Sequence, residues 1–417
     1  MKETQNSTPS IAIIGAGLTG LSCAYHLEKE GYAPTLFEKQ DRPGGRIQSE
    51  NVDGFILDCG FQVFLSSYPE IKENFNLNEL GARYFDSGAL ISHTKKGWIP
   101  IYNPRYHPIG WLKSALRYPR QISAFLKILF EYKRYDENPR YWKMGILSTE
   151  ELLEHLHISK EMIDGFFRPF FGGVFLENAL HTQAPIFMKR FYQFLTGKAC
   201  LPAEGMGAIA THLAEKLKKT TICYRSEVSE INEQYLKLTN GEIFHPDIII
   251  CCLDSKITNQ FFPLIPCHPM IGVTCLYYSI DAHRIRPHKL LMLGNNQGPL
   301  NNLSIDSAVQ PTYAPKGKHL ISATVVDQKW QKAPDLEKRV RKQIQEWMQA
   351  EPAHLRTFEI ETALPTQDHP PPLVDYHHPR YQGIYLAGEV VDSASINGAL
   401  ASGRKIAHKI KSDLRSF

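Results

Sequence analysis

The chain has 417 residues, 43% hydrophobic and 22% charged, which is the composition of a globular protein too long for one ordinary core. Lys and Arg together exceed Asp and Glu by only four residues, so the overall charge gives no argument for a nucleic-acid partner. The eight cysteines form no Cys-x-x-Cys pair, the N-terminal residues lack the apolar stretch of a secretory signal, and no segment is apolar enough to span a membrane. We therefore expect a cytoplasmic protein with reduced cysteines, and either two domains or one domain with a large insertion.

The first predicted strand, Ile11 to Ile14, runs into the glycine turn Gly15-Ala16-Gly17-Leu18-Thr19-Gly20. A helical pattern then continues to Gly31, and a second strand, Thr35 to Phe37, ends at Glu38. In such a unit the glycines permit a tight turn, close approach of a diphosphate and packing of helix on strand, and the acidic residue accepts the ribose hydroxyls. The pattern predicts a Rossmann-like site for an adenosine cofactor without a 2′-phosphate. The alternative is a glycine turn that binds nothing.

A second glycine motif, Asp41-Arg42-Pro43-Gly44-Gly45-Arg46, follows Glu38. Its glycines permit close backbone approach, and Arg46 offers a cation to a diphosphate or a flavin edge. The motif resembles the Gly-Gly-Arg sequence of flavoprotein amine oxidases, protoporphyrinogen oxidases and phytoene desaturases. Asp58-Cys59-Gly60-Phe61-Gln62 resembles the next element of that family, where the chain passes beside the flavin. The alternative for Arg46 is a polar turn with a solvated side chain.

From about residue 76 to residue 200, the pattern predicts long amphipathic, aromatic-rich helices in an inserted domain. In the helix predicted for residues 121–135, the residues Ile122, Phe125, Leu126 and Leu129 fall on one face. Ser148 to Glu151 forms a capping box for another helix. The aromatic run from Phe166 to Phe175 predicts either an apolar substrate pocket, with Arg168 and Phe171 as candidate lining residues, or a plain core turn.

The segment from Arg105 to Lys143 contains many more basic and aromatic residues than acidic ones. This composition predicts either a surface that contacts a membrane peripherally or a solvated face with basic side chains. His369, His377 and His378 lie among prolines and are interpreted as loop residues, so we expect no metal site. The sequence does not indicate an oligomeric state.

Later in the chain, strands are predicted at 222–224, 235–238, 248–253, 272–280 and 320–326, with a charged helix at 335–349. Another strand, Ile384 to Ala387, precedes Gly388-Glu389 and a helix that begins near Asn397. Three stretches in the middle of the chain resemble the same family in its expected order. They are Leu201 to Gly207, with Glu204 where glycine is usual, Glu227-Val228 at the adenine-reading position, and Asp247 to Leu253. Val228 is equally interpreted as a core residue of a strand.

The C-terminal stretches Gly383 to Glu389 and Ser395 to Gly403 resemble the flavin-binding end of the family. The resemblance implies that Glu389 holds ribityl or diphosphate oxygens and that Ile396, at the start of the last helix, lies at the flavin C2 carbonyl. A helix N-terminus there stabilises negative charge on the reduced flavin. The alternative is an ordinary strand-to-helix turn.

The resemblance implies an α/β fold, with a Rossmann-like FAD-binding domain of the GR2-type flavoproteins and an inserted α+β substrate domain. The FAD-binding domain is predicted at residues 1–75, 200–262 and 355–417, and the substrate-binding domain at 76–199 and 263–354. The predicted FAD-binding residues are Gly15, Gly17, Leu18, Thr19, Gly20, Glu38, Lys39, Gly44, Gly45, Arg46, Gly60, Phe61, Val228, Gly388, Glu389 and Ile396.

The implied activity is hydride abstraction from an apolar or amine small molecule, with FAD reoxidised by oxygen or a quinone. Two alternatives remain: non-redox flavin catalysis, as in an isomerase, and flavin binding without turnover. No catalytic side chain is assigned. Lys329 is a candidate only by its region for the lysine that many amine oxidases carry near flavin N5.

Overall fold

The computed structural model describes residues 8–93, 97–117, 119–137, 147–294, 297–369 and 383–415. Its strands are β1 (Ile11–Ile14), β2 (Thr35–Phe37), β3 (Ser49–Val52), β4 (Phe55–Asp58), β5 (Phe64–Leu65), β6 (Arg83–Tyr84), β7 (Gly88–His93), β8 (Gly97–Tyr102), β9 (Ala199–Leu201), β10 (Thr221–Cys223), β11 (Val228–Ile231), β12 (Leu236–Leu238), β13 (Ile243–Phe244), β14 (Ile248–Cys251), β15 (Met270–Asp281), β16 (Leu291–Leu293), β17 (Asn302–Ile305), β18 (Lys318–Val325), β19 (Ala353–Pro365) and β20 (Ile384–Leu386). His377 and His378 lie outside the described residues.

The α-helices are α1 (Leu18–Lys29), α2 (Pro69–Asn74), α3 (Pro108–Arg117), α4 (Pro119–Glu137), α5 (Thr149–His155), α6 (Lys160–Met162), α7 (Arg168–Phe175), α8 (Ala184–Thr196), α9 (Ala208–Glu215), α10 (Ser255–Phe261), α11 (Asp306–Val309), α12 (Gln328–Gln331), α13 (Leu336–Met348) and α14 (Ile396–Arg415). A π-helical segment, Ile163–Phe167, joins α6 to α7, and 3-10 turns occur at Ala282–Arg284 and Pro311–Tyr313. Among the described residues, no helix combines the length and the apolarity that crossing a membrane requires.

The chain divides into two compact units. The first unit comprises Met1–Gln48, Gly207–His268 and Pro371–Phe417, and the second comprises Ser49–Met206 and Pro269–Pro370. These boundaries differ from the predicted domains mainly at residues 49–75 and 355–370. The difference arises because β3 pairs with β4 in the second unit, and β19 is bonded along its length to β15.

The first unit is built on a five-stranded parallel sheet in the order β10-β2-β1-β14-β20. Its central strands, β1 and β14, are buried along their whole length, as expected for a parallel sheet covered on both faces. The order places β1 between the second strand and a later one, which is the arrangement of a dinucleotide-binding fold. A small antiparallel sheet, β11-β12-β13, belongs to the same unit. The predicted α/β Rossmann-like fold is confirmed.

Helices α1 and α14 pack against each other with their backbones in close contact. A Cβ atom on Gly403 would lie 2.3 Å from the carbonyl oxygen of Thr19 and 2.7 Å from the amide nitrogen of Cys23. One turn away, the Ser22 hydroxyl donates a hydrogen bond of 2.8 Å to the carbonyl oxygen of Leu400. The absence of a side chain at Gly403 is therefore what allows the N-terminal half of α14 to lie on the start of α1.

The second unit is built on a seven-stranded sheet in the order β19-β15-β18-β17-β16-β7-β8. Its strands pair antiparallel except for β16 and β7, which pair parallel. The sequence predicted helices from residue 76 onward, and this was wrong at the start of the segment, where β7 and β8 complete the sheet. In β8 the buried residues Ile99 and Ile101 alternate with less buried ones, the two-residue period of a strand.

An aromatic core lies between helices α4, α7 and α8 of the second unit. Phe125 of α4 contacts Phe166, Phe167 and Phe191, and Ile128 is fully buried. Leu126 was predicted on the same helix face as Phe125, but its side chain is 58% exposed. The capping box was predicted correctly: Ser148 and Glu151 bond to each other's backbone at the start of α5.

The packing of α1 on α14 predicts that Gly403→Ala destabilises the protein. The added methyl group would force two backbones apart, at a cost of ~1–3 kcal/mol or more. Gly165→Ala is the matched control, because Gly165 also lies in a helical segment and a Cβ there would meet nothing within 4 Å. Urea unfolding of the two variants measures the difference. Equal midpoints for Gly403→Ala and the wild type would contradict the close approach of the helices.

Candidate functional site

The first glycine motif forms a tight turn between β1 and α1. Gly15 has φ +99°, and its N–H donates a hydrogen bond of 2.8 Å to the carbonyl oxygen of Phe37 on β2. A Cβ on Gly20 would lie 2.0 Å from the carbonyl oxygen of Gly15. The first and third glycines of the motif are therefore required by the turn itself, as the spacing predicted.

Gly17 has a different environment. It precedes α1 with φ −72° and ψ 177°, values open to any residue, and a Cβ on it would meet nothing within 4 Å. The first intrahelical bond of α1 runs from the Leu21 N–H to the Gly17 carbonyl oxygen, so the preceding N–H groups have no partner within the helix. The first turn contains no acidic residue. Open space in front of a helix N-terminus is suited to an anion. Leu18 and Thr19 themselves are buried.

Glu38 follows β2 and is buried beside the glycine turn. Its Oε2 accepts a hydrogen bond of 2.7 Å from the Ala16 N–H, and its Oε1 accepts one of 2.9 Å from the Gln40 N–H. The side chain is thus fixed in place, and each carboxylate oxygen keeps a lone pair for another donor. The neighbouring Lys39 is exposed.

The second glycine motif lies directly on the first. The Gly44 N–H donates a hydrogen bond of 2.9 Å to the Ala16 carbonyl oxygen, and Gly44 pairs with Gly17 in an isolated bridge. A Cβ on Gly45 would lie 3.4 Å from the Gly17 Cα. Gly44 and Gly45 both have positive φ, which favours glycine. The two motifs therefore form one glycine-lined surface.

Arg46 ends this motif and forms an ion pair with Glu389. Its guanidinium nitrogen lies 2.5 Å from Glu389 Oε2, and the Ser255 N–H donates a bond of 3.0 Å to Glu389 Oε1. The side chain of Glu389 is only 2% exposed, whereas that of Arg46 is 44% exposed. A buried carboxylate therefore holds a cation whose outer part faces solvent. No sequence motif indicated Ser255, although the preceding Asp254 caps α10.

Gly388 brings the C-terminal motif to the same place. It has φ +96°, and its N–H donates a bond of 2.8 Å to the Ser402 hydroxyl oxygen. A Cβ on Gly388 would lie 3.5 Å from Thr19 Oγ1. Thr19 thus contacts both the turn at Gly388 and, through its carbonyl oxygen, helix α14 at Gly403. The two ends of the chain meet at the N-terminus of α1.

Helix α14 begins at Ile396, so Ser395 is the residue that directly precedes it. The Ser395 hydroxyl oxygen accepts a hydrogen bond of 3.0 Å from the Gly398 N–H, which is the usual bond of a helix cap. A Cβ on Gly398 would lie 1.9 Å from the Ser393 carbonyl oxygen. The start of α14 is therefore held closely against the turn that precedes it.

Val228 is the one predicted adenine-reading residue, and it begins β11. Its side chain packs in the core with residues of the parallel sheet, such as Ile14 and Phe37. This position agrees with the alternative of a strand core residue. It leaves the predicted role open, because that role belongs to the backbone amide and carbonyl. Adenine recognition at Val228 stays a prediction.

Gly60 and Phe61 belong to the second unit. Gly60 has φ +97°, and a Cβ on it would lie 2.6 Å from Ile360 Cδ1, so glycine is required there. Phe61 contacts the ring of Phe85 edge to face. In the Leu201 to Gly207 stretch, the positive φ falls on Gly205, and Glu204 is exposed without positive φ. The departure from the family pattern at Glu204 therefore causes no backbone strain.

The two substrate-pocket candidates have internal partners in the second unit. Arg168 donates to Asp164 Oδ1 at 3.1 Å, to the Asn178 carbonyl oxygen at 2.7 Å, and to Glu150. Phe171 is buried in the aromatic core. These contacts are those of the alternative, a core turn, and they leave neither side chain on an open surface of its unit. Their predicted role in substrate binding stays a prediction.

Other candidates have simple surroundings. His369 is exposed and lies 3.7 Å from Asp368, and Lys329 is exposed with its Nζ 5.7 Å from the centre of the Trp330 ring. Within the described ranges, no group of three or more His, Cys, Asp or Glu residues is placed to hold a metal ion. The absence of a metal site stays an expectation.

The chain matches a known family over most of its length. The profile of the family described as flavin containing amine oxidoreductase matches residues 18–411. Coproporphyrinogen III oxidase from Staphylococcus aureus is 48% identical over 178 residues, which are 40% of this chain and 36% of that protein. The mitochondrial protoporphyrinogen oxidase of Nicotiana tabacum is 28% identical over 174 residues, which are 41% of this chain and 31% of that protein. The chain thus spans about a third of the length of these curated relatives.

Solved structures share the fold. An oxidoreductase from Methanosarcina mazei superposes with a TM-score of 0.72 at 18% identity, covering 96% of this chain and 100% of that one. The protein therefore belongs to the flavin-containing amine oxidoreductase family. Membership confirms the predicted family and the predicted flavin cofactor, FAD. The glycine-lined surface, the open space before α1 and the cation at Arg46 fit the diphosphate of such a cofactor.

The two bonds to Glu38 predict that Glu38→Ala destabilises the glycine turn. The substitution leaves the Ala16 and Gln40 N–H groups without their acceptor, at a cost of about 2 kcal/mol or more. Glu38→Gln is the control, because its single carbonyl oxygen still accepts one of the two bonds. Urea unfolding of the protein without cofactor gives the comparison. If both variants unfold at the same urea concentration, the buried bonds contribute less than the geometry implies.

Proposed function

We propose that this protein is an FAD-dependent oxidoreductase that abstracts a hydride from an apolar or amine small molecule. The first unit serves as the FAD-binding domain and the second unit supplies the substrate side. The observation that carries the proposal is the meeting of three segments at the start of α1, where the second glycine motif contacts Gly17 and the turn at Gly388 contacts Thr19. Bound FAD supplies a hydride acceptor at N5 of its flavin ring, so few side chains need take part in the chemistry.

The diphosphate is proposed to lie in the open space over Gly17, at the N-terminus of α1. There the unbonded N–H groups of the first turn donate to phosphate oxygens, and the helix dipole favours their negative charge. Arg46 adds a full positive charge. Because Glu389 is buried and accepts from both Arg46 and Ser255, it fixes the direction of the guanidinium rather than leaving a flexible side chain.

The adenosine end is proposed to lie along Glu38 and β11. The remaining lone pairs of Glu38 accept hydrogen bonds from the two ribose hydroxyls, whereas the buried carboxylate would repel a 2′-phosphate. The backbone of Val228 reads adenine. Lys39 is exposed beside this site, where its ammonium group faces solvent.

The flavin end is proposed to lie at the N-terminus of α14, with the Ile396 N–H at the C2 carbonyl. A helix N-terminus carries partial positive charge, which stabilises the negative charge that a reduced flavin develops at N1 and C2. Ile396 lies roughly 10 Å along the helix axis from Gly403 at 1.5 Å per residue. The contact of α14 with Thr19 thus fixes this helix start relative to the diphosphate site. Gly60 and Phe61 are proposed as further FAD-binding residues.

This placement predicts that Gly17→Ala loses FAD without losing the fold. The φ and ψ of Gly17 suit alanine and nothing opposes the Cβ, so the unfolding free energy of the protein without cofactor should change by no more than ~0.5 kcal/mol. The methyl group occupies the space of the diphosphate, and FAD affinity should fall at least about tenfold, or ~1.4 kcal/mol. FAD titration followed by flavin fluorescence measures the affinity, with Gly165→Ala as control. Unchanged affinity would place the diphosphate elsewhere.

The activity is tested with the purified, yellow protein under anaerobic conditions. A panel of amines, porphyrinogens, carotenoids and sterols is added one at a time, and flavin absorbance is followed. Bleaching by one class identifies the substrate class and establishes hydride transfer to FAD. A protein that contains no flavin, or that acts only after its flavin is reduced beforehand, would contradict the proposed oxidation.

We further propose that helices α3 and α4, which contact each other in the second unit, bind peripherally to a membrane of anionic lipids. Ile109 and Leu112 of α3 are 72% and 53% exposed, and Leu126 and Phe130 of α4 are 58% and 65% exposed. The exposed cations Lys113 and Lys133 lie on the same helices. Apolar side chains beside basic ones are suited to the interface of a negatively charged bilayer, where a lipid-soluble substrate is available.

The membrane contact predicts that Ile109→Ser combined with Phe130→Ser reduces binding to vesicles. Each side chain contributes ~1 kcal/mol or more when it enters the bilayer interface, so the double variant should bind at least about tenfold more weakly. Cosedimentation with phosphatidylcholine vesicles, with and without phosphatidylglycerol, measures binding. Ile243→Ser is the matched control, since Ile243 is 51% exposed in the first unit. If the wild-type protein binds neither vesicle type, the membrane contact is contradicted and the surface of α3 and α4 is solvated.

A cytoplasmic location is proposed for the protein. None of the eight cysteines, all of which lie in the described ranges, forms a disulfide, and Cys23, Cys200, Cys251 and Cys275 are buried. Thiols that stay reduced are typical of a reducing compartment.

A further inference from the structure

Arg190 is a buried cation on helix α8 of the second unit. Only 5% of the residue is exposed. Its Nη1 donates a hydrogen bond of 2.8 Å to Gln193 Oε1, one turn later on the same helix. In the described ranges, no Asp or Glu forms an ion pair with Arg190. Buried charges are normally paired, because each loses its hydration, so the burial of this guanidinium is a cost that no described ion pair offsets.

The guanidinium of Arg190 has more donors than this one bond uses. An arginine side chain carries several N–H groups in one plane and has no acceptor. Among the described residues, the bond to Gln193 is the one hydrogen bond that Arg190 makes. Two parallel N–H groups of a guanidinium match the two oxygens of a carboxylate. The remaining donors of Arg190 are therefore suited to a carboxylate that the described chain does not supply.

Gln193 contributes a second donor beside Arg190. Because arginine can only donate, the amide oxygen of Gln193 must face the guanidinium, which leaves the NH₂ group on the other side of the amide. Gln193 is 8% exposed, and in the part of the chain that the structure describes its NH₂ group donates no hydrogen bond. Its backbone carbonyl is held separately, by the Ser67 hydroxyl at 2.8 Å and the Gly197 N–H at 2.9 Å.

Tyr68 adds a hydroxyl group from the segment that packs on the end of α8. A Cβ on Gly197 would lie 2.7 Å from the Ser67 nitrogen, so this segment lies directly against the helix. Tyr68 is 7% exposed, and its hydroxyl makes no hydrogen bond within the described residues. Burial raises the pKa of Tyr68, although the positive charge of Arg190 lowers it. The hydroxyl therefore keeps its proton at neutral pH and can donate it to an acceptor.

An aromatic surface adjoins Arg190 on the same helix. Phe194 follows Arg190 by one helical turn, so the two side chains lie on the same side of α8. The ring of Phe194 is half-buried, and its centre lies 5.0 Å from that of Phe170, which is also half-buried. Phe170 belongs to the aromatic run for which the sequence predicted either an apolar pocket or a core turn. Cationic and apolar groups thus occur side by side.

We propose that Arg190, Gln193 and Tyr68 form an anion site that binds the carboxylate group of an apolar small molecule. We call these three residues the anion site. The guanidinium donates two parallel bonds to the carboxylate, and the amide of Gln193 and the hydroxyl of Tyr68 donate to its remaining lone pairs. The apolar part of the molecule packs on Phe170 and Phe194. That this molecule is the substrate of the oxidation rests on the proposed function, whereas the anion site does not.

Calorimetric titration of the purified full chain tests the anion site, with 2-naphthoate as the anionic probe and 2-naphthamide as its neutral analogue. The wild type should bind the naphthoate at least about tenfold more tightly than the amide, and Arg190→Met should lose this preference. Lys189→Met is the matched control, because Lys189 is an exposed cation beside Arg190 on α8. A wild type that binds naphthoate no better than naphthamide, or an Arg190→Met variant that keeps the preference, would overturn the anion site, whether or not the protein contains flavin.

Urea unfolding without ligand tests whether Arg190 is held for binding or for stability. Replacing an unpaired buried charge by an apolar side chain of similar length removes its desolvation cost, so the urea midpoint of Arg190→Met should equal or exceed that of the wild type. Added 2-naphthoate should raise the midpoint of the wild type and leave that of the variant unchanged. A variant that unfolds at a clearly lower urea concentration would show that Arg190 stabilises the fold, which contradicts the proposal.

The substrate role is tested by anaerobic bleaching of the bound flavin. Amines, porphyrinogens, carotenoids and sterols that carry a carboxylate are each compared with their methyl esters. An acid should bleach the flavin faster than its ester, and Arg190→Met should raise the KM for the acid at least about tenfold with little change in kcat. Equal rates for acid and ester would overturn the substrate role and leave the anion site intact. Bleaching by no compound would overturn the substrate role together with the proposed oxidation.

Discussion

The contact between Thr19 and two distant segments of the chain is the constraint on which the first unit depends. Its carbonyl oxygen faces Gly403 at a distance that leaves no room for a side chain, and its hydroxyl lies beside the turn at Gly388. Because α1 starts at the first glycine motif and α14 starts just after Gly388, this contact brings two helix N-termini to one surface. The N-terminus of a helix favours negative charge. Held together, they suit the two ends of one molecule that has a diphosphate at one point and an electron-accepting ring at another.

Buried acidic groups have different kinds of partner in the two units. In the first unit, Glu38 and Glu389 each accept two hydrogen bonds or ion-pair contacts and thereby fix neighbouring donors, which is how a buried carboxylate is tolerated. In the second unit, Asp58 and Asp306 accept hydrogen bonds from hydroxyl groups, and burial raises the pKa of both carboxyls. The first arrangement provides a rigid binding surface.

Local sequence was sufficient for much of the first unit. The strands Ile11–Ile14 and Thr35–Phe37, the glycine turn and the start of α14 follow from short patterns whose physical demands lie within a few residues. The pairing of Arg46 with Glu389 and the hydrogen bond from Tyr313 to Asp58 join distant parts of the chain, and no periodicity reports such contacts. The same reason explains β7 and β8, which were predicted within a helical segment but complete a sheet with later strands. On α4, apolar residues occur on both faces, so periodicity placed Leu126 in the core although its side chain is exposed.

The most direct measurement is a crystal structure of the protein purified with its cofactor. We predict one FAD molecule, with its diphosphate over Gly17 at the start of α1 and its isoalloxazine ring at the start of α14, within hydrogen-bonding distance of the Ile396 N–H. A nicotinamide cofactor on the glycine-lined surface, or a flavin ring that lies away from α14, would contradict it.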